Sequence, residues 1–231
     1  MTLRGVPGDE AWCTRLRTEV AHELADIGVA GLTVNVRDAV VTDSLMTLTT
    51  LDPPVIALIG MWTDQYYGSQ ITRATEVLQA HTANLAGYLV TESVPLAPPR
   101  TPPGERTPGL ANVALLRRPS AMDEQTWLNR WHRHHTQVAI DTQATFGYIQ
   151  NTVVRAITAG AEPISAIVEE LFPLEATADL HAFFGAADDD DLADRMARMM
   201  ESTSAFGANE NVDTVPSSRY VVRDPFATLQ P

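Results

Sequence analysis

The stretch that decides the fold is Trp127-Leu-Asn-Arg-Trp-His-Arg-His-His-Thr-Gln-Val-Ala139, followed by Phe146-Gly-Tyr-Ile-Gln-Asn-Thr-Val-Val154. The apolar residues of the first segment recur at three- and four-residue steps, which predicts an amphipathic helix. The second segment is rich in aromatic and β-branched residues and predicts a strand. A helix that leads directly into a strand indicates a fold in which helices and a sheet are mixed.

One histidine lies on the apolar side of that helix. His135 comes four residues after Trp131 and three before Val138, and both of these residues belong to the apolar face. An imidazole there is a candidate acid or base, because small changes of environment move its pKa across neutrality. The alternative is a core histidine that hydrogen-bonds a backbone carbonyl, since buried polar groups are usually satisfied in this way.

The histidine cluster does not predict a metal site. His132 and His135 are three residues apart and share a helix face. The sequence offers no third ligand at a suitable spacing, no HExxH motif and no cysteine pair. We therefore expect no bound metal.

Composition restricts the class of protein. The net charge of −13 argues against binding to nucleic acid, whose phosphates require a basic surface. No apolar run reaches the roughly 20 residues that cross a membrane, and the amino-terminal residues lack the apolar block of a secretory signal. The single cysteine, Cys13, excludes an internal disulfide and fits a reducing compartment. We expect a cytoplasmic protein that binds neither nucleic acid nor membrane.

A proline-rich segment divides the chain into two halves. Residues 95–108 contain six prolines, so they predict an extended connector and not a helix or a central strand. We place the first half at residues 1–96, the connector at 97–110 and the second half at 111–231.

The two halves share one order of predicted elements. For the second half these are a strand ending at Leu116, the helix from Trp127, strands at 148–155 and 164–172, a helix at 174–184 and a strand at 218–223. For the first half they are a short strand at 2–4, a helix through Trp12 and Leu24, strands at 31–37 and 54–62, a helix at 71–85 and a strand at 87–96. Each half therefore predicts β-α-β-β-α-β, the ferredoxin-like order.

This order predicts an α+β fold. We expect two ferredoxin-like repeats that pair their antiparallel sheets into one barrel-like core, because pairing covers sheet edges that each repeat alone would expose. His135 of the second half aligns with Val20 of the first. The sequence therefore places a single site in the second half.

The second half resembles an EthD-type domain of the dimeric α+β barrel superfamily. The resemblance rests on three segments: Leu116-Arg-Arg-Pro119 with the acidic helix start Asp123-Glu124, Trp131-His-Arg-His-His-Thr-Gln-Val-Ala139, and Tyr148-Ile-Gln-Asn151 with Ile167-Val-Glu-Glu-Leu-Phe172. The first half resembles the family only in its order of elements and in Val90-Thr-Glu-Ser93. The sequence departs from the family pattern after His135, where Thr-Gln stands in place of the usual Gly-Pro.

The resemblance implies a set of site residues. Carried over by position, the helix histidine of the family is His135, its strand tyrosine and asparagine are Tyr148 and Asn151, and its third-strand acid is Glu169. In this interpretation His135 transfers a proton, Tyr148 supports catalysis by orienting a substrate oxygen with Asn151, and Glu169 sets the imidazole tautomer or acts as a second base. The apolar wall that binds the substrate is formed by Trp131, Phe146 and Trp127.

The resemblance also implies a class of function. Its members hold hydrophobic, often aromatic or polyketide-like molecules, and some act without a metal or an organic cofactor. We expect a cofactor-independent enzyme of the lyase or decarboxylase type, or otherwise an oxygenase or isomerase. The alternative is a non-catalytic accessory protein that binds a hydrophobic ligand. A homodimer formed through sheet edges or helices is compatible with the sequence.

A third interpretation gives His135 only a structural role. It predicts a well-packed core without a ligand pocket. A cavity of roughly 300 Å³ or more in contact with His135 would separate this interpretation from the other two.

Overall fold

The computed structural model describes residues 1–6 and 8–227, and nine strands of this part of the chain form one antiparallel sheet. The strands are β1 (Thr2–Arg4), β2 (Gly31–Val36), β3 (Val55–Trp62), β4 (Asn84–Ala86), β5 (Tyr88–Leu96), β6 (Leu110–Leu116), β7 (Gly147–Ala156), β8 (Ala166–Phe172) and β9 (Asp213–Arg223). They lie in the order β4-β1-β3-β2-β9-β6-β8-β7-β5. The two ends of this order, β4 and β5, are separated only by Gly87. The sheet must therefore curve until its ends approach each other.

The two halves meet at two strand pairs. The first half contributes the order β4-β1-β3-β2, and the second contributes β9-β6-β8-β7. Strand β2 pairs with β9, and β5, which still belongs to the first half, pairs with β7. The last four residues of the predicted second half, 228–231, lie outside the described part of the chain.

Seven α-helices accompany the sheet in the described residues: α1 (Glu10–Arg15), α2 (Ala21–Asp26), α3 (Ser69–Gln79), α4 (Glu124–Asn129), α5 (Thr136–Thr142), α6 (Leu180–Phe184) and α7 (Asp189–Phe206). A π-helical segment, Leu16–Val20, joins α1 to α2, and another, Arg130–His135, joins α4 to α5. Each half therefore has one continuous helix with a wider segment in its middle. Such π-helical segments are frequent at functional sites.

Matching aspartates begin these two continuous helices. The carboxylate of Asp9 accepts a hydrogen bond from the backbone N–H of Trp12 at 2.8 Å, and that of Asp123 accepts one from Thr126 at 2.9 Å. A cap of this kind stabilises a helix by about 1 kcal/mol. The π-helical segments end at Val20 and His135, which are both buried. The two residues that the sequence aligns therefore occupy the same place in their helices.

The helix predicted over 71–85 is shorter in the structure. It ends at Gln79, and Asn84–Ala86 forms β4 instead. The hydroxyl of Thr82 donates to the carbonyl oxygen of Arg4 at 2.9 Å. This bond directs the chain onto β1, so the helix does not continue.

The prediction of one helix over 174–184 is also wrong in its extent. The structure has a 3₁₀ turn at Leu174–Thr177 and then the short α6, whose first turn is capped by Asp179. Gly185 ends α6 in the left-handed conformation, with φ 62°, which glycine adopts without strain. The long helix of the second half is α7, and the side chain of Asp188 caps its start by accepting a hydrogen bond from the backbone N–H of Asp191.

Alternate residues of each strand point to opposite sides of the sheet. On the side that we call the inner face, apolar residues of both halves form one cluster: Val55, Leu58, Val113, Leu115, Ile164, Ile167 and Val215. On the other side, the helix face, each half packs its own helices. The first-half cluster includes Leu16, Val20, Leu32 and Ile59, and the second-half cluster includes Trp127, Trp131, Tyr148 and Phe206. The halves therefore share a core on the inner face and have separate cores beneath their helices.

Candidate functional site

A cavity of about 350 Å³ lies between the helix face of the second half and the helices that cover it. His135 lines this cavity, which we call the helix-face cavity, together with apolar residues such as Val168, Met199 and Phe206. Its volume falls within the range of small-molecule sites. The cavity contradicts the interpretation in which His135 belongs to a closed, purely structural core.

Three polar side chains from neighbouring strands face the cavity in a row. Glu170 on β8 is the register partner of Asn112 on β6 and of Tyr148 on β7. All three residues are buried, with 7%, 5% and 1% of their surface exposed. The Oδ1 atom of Asn112 has no hydrogen-bond partner among the described residues. Because buried polar atoms are normally paired, this row is suited to bind the polar atoms of a ligand.

The carboxyl group of Glu170 is the most strongly perturbed acid of the row. Burial raises its pKa to about 8. Its partner is Gln143 of the segment after α5, whose amide Nε2 donates to Glu170 Oε1 at 3.1 Å when the amide is oriented to satisfy both its neighbours. Glu170 is therefore mostly protonated at neutral pH, and its carboxylate is a much stronger base than an ordinary one.

His135 lies on the helix side of the same cavity. Its Nδ1 atom is 3.0 Å from the hydroxyl of Ser202 on α7, and its ring centroid is 4.8 Å from that of Phe206. Burial lowers the pKa of His135 to about 4. The ring is therefore neutral at pH 7, and it can donate a hydrogen bond from one nitrogen and accept one at the other. It is a weaker base than the Glu170 carboxylate.

Tyr148 remains a hydrogen-bond donor. Burial, and then the neighbouring Glu170, raise the pKa of its phenol far above the usual range. Next to it on β7, Gln150 Nε2 donates to Thr136 Oγ1 at 2.7 Å, and this hydroxyl donates to the carbonyl of Trp131 at 3.0 Å. These two bonds hold the π-helical segment against the strand and so fix the distance between His135 and the row.

Two predicted site residues lie on the opposite side of the sheet. Glu169 accepts a hydrogen bond from Asn35 Nδ2 at 2.9 Å and lies 3.6 Å from Arg219 Nε, both on the inner face. Asn151 lines a different cavity, on the inner face. Successive residues of a strand alternate between faces, so Glu169 points away when Glu170 faces the cavity. The structure does not bring Glu169 or Asn151 to His135.

The aromatic wall predicted from the sequence consists of Trp127, Trp131 and Phe146. Trp127 and Trp131 are buried, with ring centroids 5.2 Å apart. Trp127 also packs against Phe206, which lines the cavity, at a centroid distance of 6.1 Å. Phe146 is half-buried at the start of β7, where its backbone N–H donates to Leu171 at 2.8 Å. None of these three side chains lines the cavity. The two tryptophans pack in one cluster with Phe206 and Met199, and these last two, with other apolar residues, form the surface of the cavity.

The first half closes one side of the helix-face cavity. Leu45, Met46 and Leu48, in the connection between β2 and β3, line it. Thr214 of β9 holds this connection, because its hydroxyl donates to the Met46 carbonyl and accepts from the Leu48 N–H at 2.9 Å. The backbone N–H of Leu45 also donates to Thr177 at 2.9 Å. The site thus contains residues of both halves, although the sequence places it in the second half.

Sequence reasoning missed Glu170, Asn112 and Gln143. Glu170 shares a face with its register partner Tyr148, but the sequence of β8, which is buried on both faces, does not show which of its two acids has this position. No local pattern marks Asn112 or Gln143 either.

In residues 1–6 and 8–227, no three side chains of histidine, cysteine, aspartate or glutamate converge to form a metal site. Within the same residues, no helix combines the length and the apolar character needed to span a bilayer.

Comparison with known proteins supports the fold. No family model matches the chain, and no curated protein matches its sequence. The resemblance to EthD-type domains therefore stays a prediction. Among solved structures, an anthrone oxidase-like protein is similar to this chain with a TM-score of 0.54 and 12% sequence identity, over 97% of this chain and 92% of that chain. The chain therefore shares the overall fold of an anthrone oxidase-like protein, in a mixed architecture with one antiparallel sheet.

Proposed function

We propose that this chain is an enzyme that removes a proton from an activated carbon of a hydrophobic, aromatic or polyketide-like molecule in the helix-face cavity. The observation that carries the proposal is the row formed by Asn112, Glu170 and Tyr148, which faces an apolar cavity opposite His135. An acid or base with a pKa near neutrality is poised for such transfer. The pKa of Glu170, about 8, lies in that range.

The proton transfer assigns a role to each group. The Glu170 carboxylate takes the proton from the carbon, and the electron pair of the broken C–H bond moves onto the adjacent carbonyl oxygen to give an enolate or phenolate. The Tyr148 hydroxyl and the Asn112 amide donate hydrogen bonds to that oxygen, where the negative charge develops. The substrate rings lie against Met199 and Phe206.

His135 acts as a neutral positioning group. Its Nδ1 is engaged by Ser202, so the other ring nitrogen is available to hydrogen-bond a hydroxyl of the substrate. In this proposal the proton acceptor is Glu170, and it replaces the His135–Glu169 pair predicted from the sequence. The burial of the imidazole and the inner-face position of Glu169 support this change.

The fate of the enolate defines the reaction type. An oxygenase begins with this proton transfer. A lyase of the decarboxylase type, as predicted from the sequence, forms the same enolate in another way: the bond to the carboxylate carbon breaks, carbon dioxide leaves, and the electron pair moves onto the carbonyl oxygen. Protonated Glu170 then gives its proton to the carbon. The description of the similar structure as anthrone oxidase-like favours oxidation. In that case anthrone and dioxygen give anthraquinone and water, and dioxygen is the oxidant. No metal or organic cofactor is part of this proposal.

The strand order supports the finer fold predicted from the sequence. We propose that each half is a ferredoxin-like repeat and that the two repeats form a barrel of the dimeric α+β type within one chain. The orders β4-β1-β3-β2 and β9-β6-β8-β7 place corresponding strands in corresponding positions. The near meeting of β4 and β5 supports closure of the barrel.

The test uses the purified chain with anthrone in air-saturated buffer, and in parallel with aromatic β-keto acids. Formation of anthraquinone, or release of carbon dioxide from the acids, is measured with the wild type, Glu170→Gln and the exposed control Glu175→Gln. We expect turnover by the wild type and by the control, and its loss in Glu170→Gln. Tight binding of these compounds without any turnover would favour the accessory-protein alternative. Absence of both binding and turnover would reject the proposed site.

A further inference from the structure

The helix-face cavity opens to solvent between two segments of the chain. The connection lip is residues 45–48, between β2 and β3, and the α7 lip is residues 208–212, between α7 and β9. Residues of both lips line the cavity. Leu45 and Leu48 of the connection lip are 59% and 53% exposed, and Asn209 of the α7 lip is also exposed. Residues that line a cavity and are exposed to solvent border its opening, so these two lips form the mouth.

Asp213, the first residue of β9, binds the chain directly after the connection lip. Its Oδ1 atom accepts hydrogen bonds from the backbone N–H groups of Thr50 at 2.6 Å and Leu51 at 3.1 Å. Its Oδ2 atom accepts one from the Thr50 hydroxyl at 2.9 Å. Asp213 is only 2% exposed, and hydrogen bonds to a carboxylate are stronger than those between neutral groups. The connection lip is therefore fixed to the start of β9.

Arg117 joins Asp213 to the other lip. Its Nη1 atom lies 2.8 Å from Asp213 Oδ2 and donates a hydrogen bond to the carbonyl oxygen of Asn211 at 2.6 Å. Leu115 of β6 pairs with Asp213, so two further residues along β6 bring Arg117 opposite Asn211. Asn211 lies in the α7 lip. Both lips of the mouth are thus attached to one ion pair.

This ion pair lies on the far side of the sheet from the cavity. Val215 belongs to the inner-face cluster and Thr214 lines the helix-face cavity, so the alternation along β9 directs Asp213 to the inner face. Neither Arg117 nor Asp213 lines the helix-face cavity. A substitution of either residue therefore affects a bound ligand only through the lips.

We propose that Arg117 and Asp213 are positioning residues that hold the two lips together and so set the rate at which a hydrophobic ligand enters and leaves the helix-face cavity. A rigid ring system passes the mouth when the lips separate, and movements of this kind limit the rate of many enzymes. Weakening the ion pair should therefore speed entry and release alike. The inference rests on the cavity of the proposed function, but not on its chemistry.

The experiment follows binding of anthraquinone to the full chain by stopped-flow tryptophan fluorescence. Trp127 and Trp131 pack in one cluster with Phe206, which lines the cavity, so a bound quinone lies close enough to quench their emission. In Asp213→Asn and in Arg117→Met we expect the association and dissociation rate constants each to rise by about fivefold or more, with the dissociation constant changed by less than about twofold. Loss of a wall contact would instead raise the dissociation rate alone.

Two further variants test the pair itself. Arg117→Lys keeps a positive charge and a nitrogen with several N–H donors, and it should bring the rates back to within about twofold of the wild type, because one nitrogen of Arg117 makes both contacts. The double variant of Asp213→Asn and Arg117→Met should be no faster than either single variant, since the two residues act together. Thr50→Val removes one bond to Asp213 and should give a smaller rise of the same kind, which tests the proposal even if the stronger variants do not fold.

Arg4→Met is the matched control. Arg4 also pairs with a carboxylate, Glu162 at 3.0 Å, and donates to the backbone carbonyls of Asp52 and Pro53, but it does not line the mouth. It should lower stability without changing either rate. An equal rise of the rates in Arg4→Met would show a general loss of stability and would overturn the proposal.

The remaining outcomes separate this inference from the proposed function. Unchanged rates in Asp213→Asn and Arg117→Met, or a rise of the dissociation rate alone, would overturn the inference and leave the proposed chemistry intact. Faster exchange of anthraquinone in a chain that converts neither anthrone nor keto acids would support the inference and contradict the chemistry. Failure of the wild type to bind anthraquinone would reject the cavity as its site and overturn the inference, whereas turnover of keto acids would still support the chemistry.

Discussion

On their helix faces the two halves have the same strand register, but the paired side chains compared here are apolar in the first half and polar in the second. In the first half Leu32 pairs with Met61, and at the matching step in the second half Tyr148 pairs with Glu170. The first-half residues belong to or pack against a closed apolar core, whereas the second-half pair borders a cavity. The comparison shows that a few side chains on one backbone plan decide whether the space beneath a helix is core or site.

The equivalence of these two residue pairs follows from the register of the paired strands. Leu3 pairs with Ala57 in the first half, and Leu116 pairs with Ala166 in the second. Counting four residues along β3 and β8 from these alanines leads to Met61 and Glu170. The same count makes Asn35 and Asn151 equivalent on the inner face, as partners of Leu58 and Ile167. The two halves therefore share an asparagine at this inner-face step, whereas the helix-face pairs Leu32–Met61 and Tyr148–Glu170 differ.

The largest expected effect comes from removing the acid that distinguishes the halves. Glu170→Gln keeps the shape of the side chain but cannot accept the substrate proton, so we expect kcat to fall by about 10²- to 10⁴-fold. Met61→Leu, at the matching position of the first half, should leave kcat unchanged. Steady-state kinetics with the substrate found by the anthrone and keto-acid assays measure both. A similar loss in the two variants would contradict the assignment of the site to one half.

The second effect is the pH dependence of stability that Glu170 contributes, since the matching position of the first half is the uncharged Met61. Folding raises the pKa of Glu170 from 4.5 to about 8, so the stability that its protonated form contributes below pH 4.5 is lost as the pH rises to about 8. We expect Glu170→Gln to gain stability over the wild type between pH 5 and pH 8, by on the order of 3 kcal/mol. Urea unfolding at a series of pH values measures this difference.

The pH dependence of stability that the His135 imidazole contributes has the opposite sign. Folding lowers the pKa of His135 from 6.5 to about 4, so stability present above pH 6.5 is lost as the pH falls toward 4. His135→Gln should therefore lose less stability than the wild type on acidification. A pH-independent difference for either variant would show that the corresponding group is not buried in the folded chain.

A smaller effect tests the equivalence of Val20 and His135. Val20→His places an imidazole in a closed apolar core without a partner such as Ser202, and we expect a loss of about 1–3 kcal/mol in the free energy of unfolding. His135→Val should cost less stability and should abolish ligand binding. Chemical denaturation and ligand titration of both variants give the two quantities. Equal stability of the two variants would mean that the two positions are not distinguished by their surroundings.

The smallest effect concerns the first-half connection that closes the cavity. Leu48 is 53% exposed, so Leu48→Ser should change the free energy of unfolding by less than about 0.5 kcal/mol. It should still weaken binding of an aromatic ligand by about threefold, because part of the apolar wall is lost. Val40→Ser, in the same connection but outside the cavity wall, is the control.

Much of the fold could be predicted from the sequence because its strongest patterns are local. The capping residues Asp9 and Asp123, the apolar helix faces that follow them and the proline-rich connector each act over a few residues. The order of helices and strands along the chain follows from these local patterns. The end of α3 and the replacement of one predicted helix by a turn and α6 were not predictable in this way, because tertiary bonds such as Thr82 to Arg4 determine them.

The site was only partly predictable for a physical reason. His135 and Tyr148 stand out by periodicity and by family resemblance, and the structure brings both to one cavity. The adjacent acids Glu169 and Glu170 cannot be told apart by pattern, because β8 is buried on both faces and shows no alternation of apolar and polar residues. The contribution of the β2–β3 connection depends on contacts between the halves that no local pattern records.

The strand Asn84–Leu96, broken only at Gly87, serves both halves, because β4 pairs with β1 and β5 pairs with β7. Together with the β2–β9 pair, it holds the halves by hydrogen bonds that do not depend on the connector. A protease that cuts residues 97–109 would therefore leave two pieces joined along two ladders. For this molecule, cleavage of the chain and separation of its parts are distinct events.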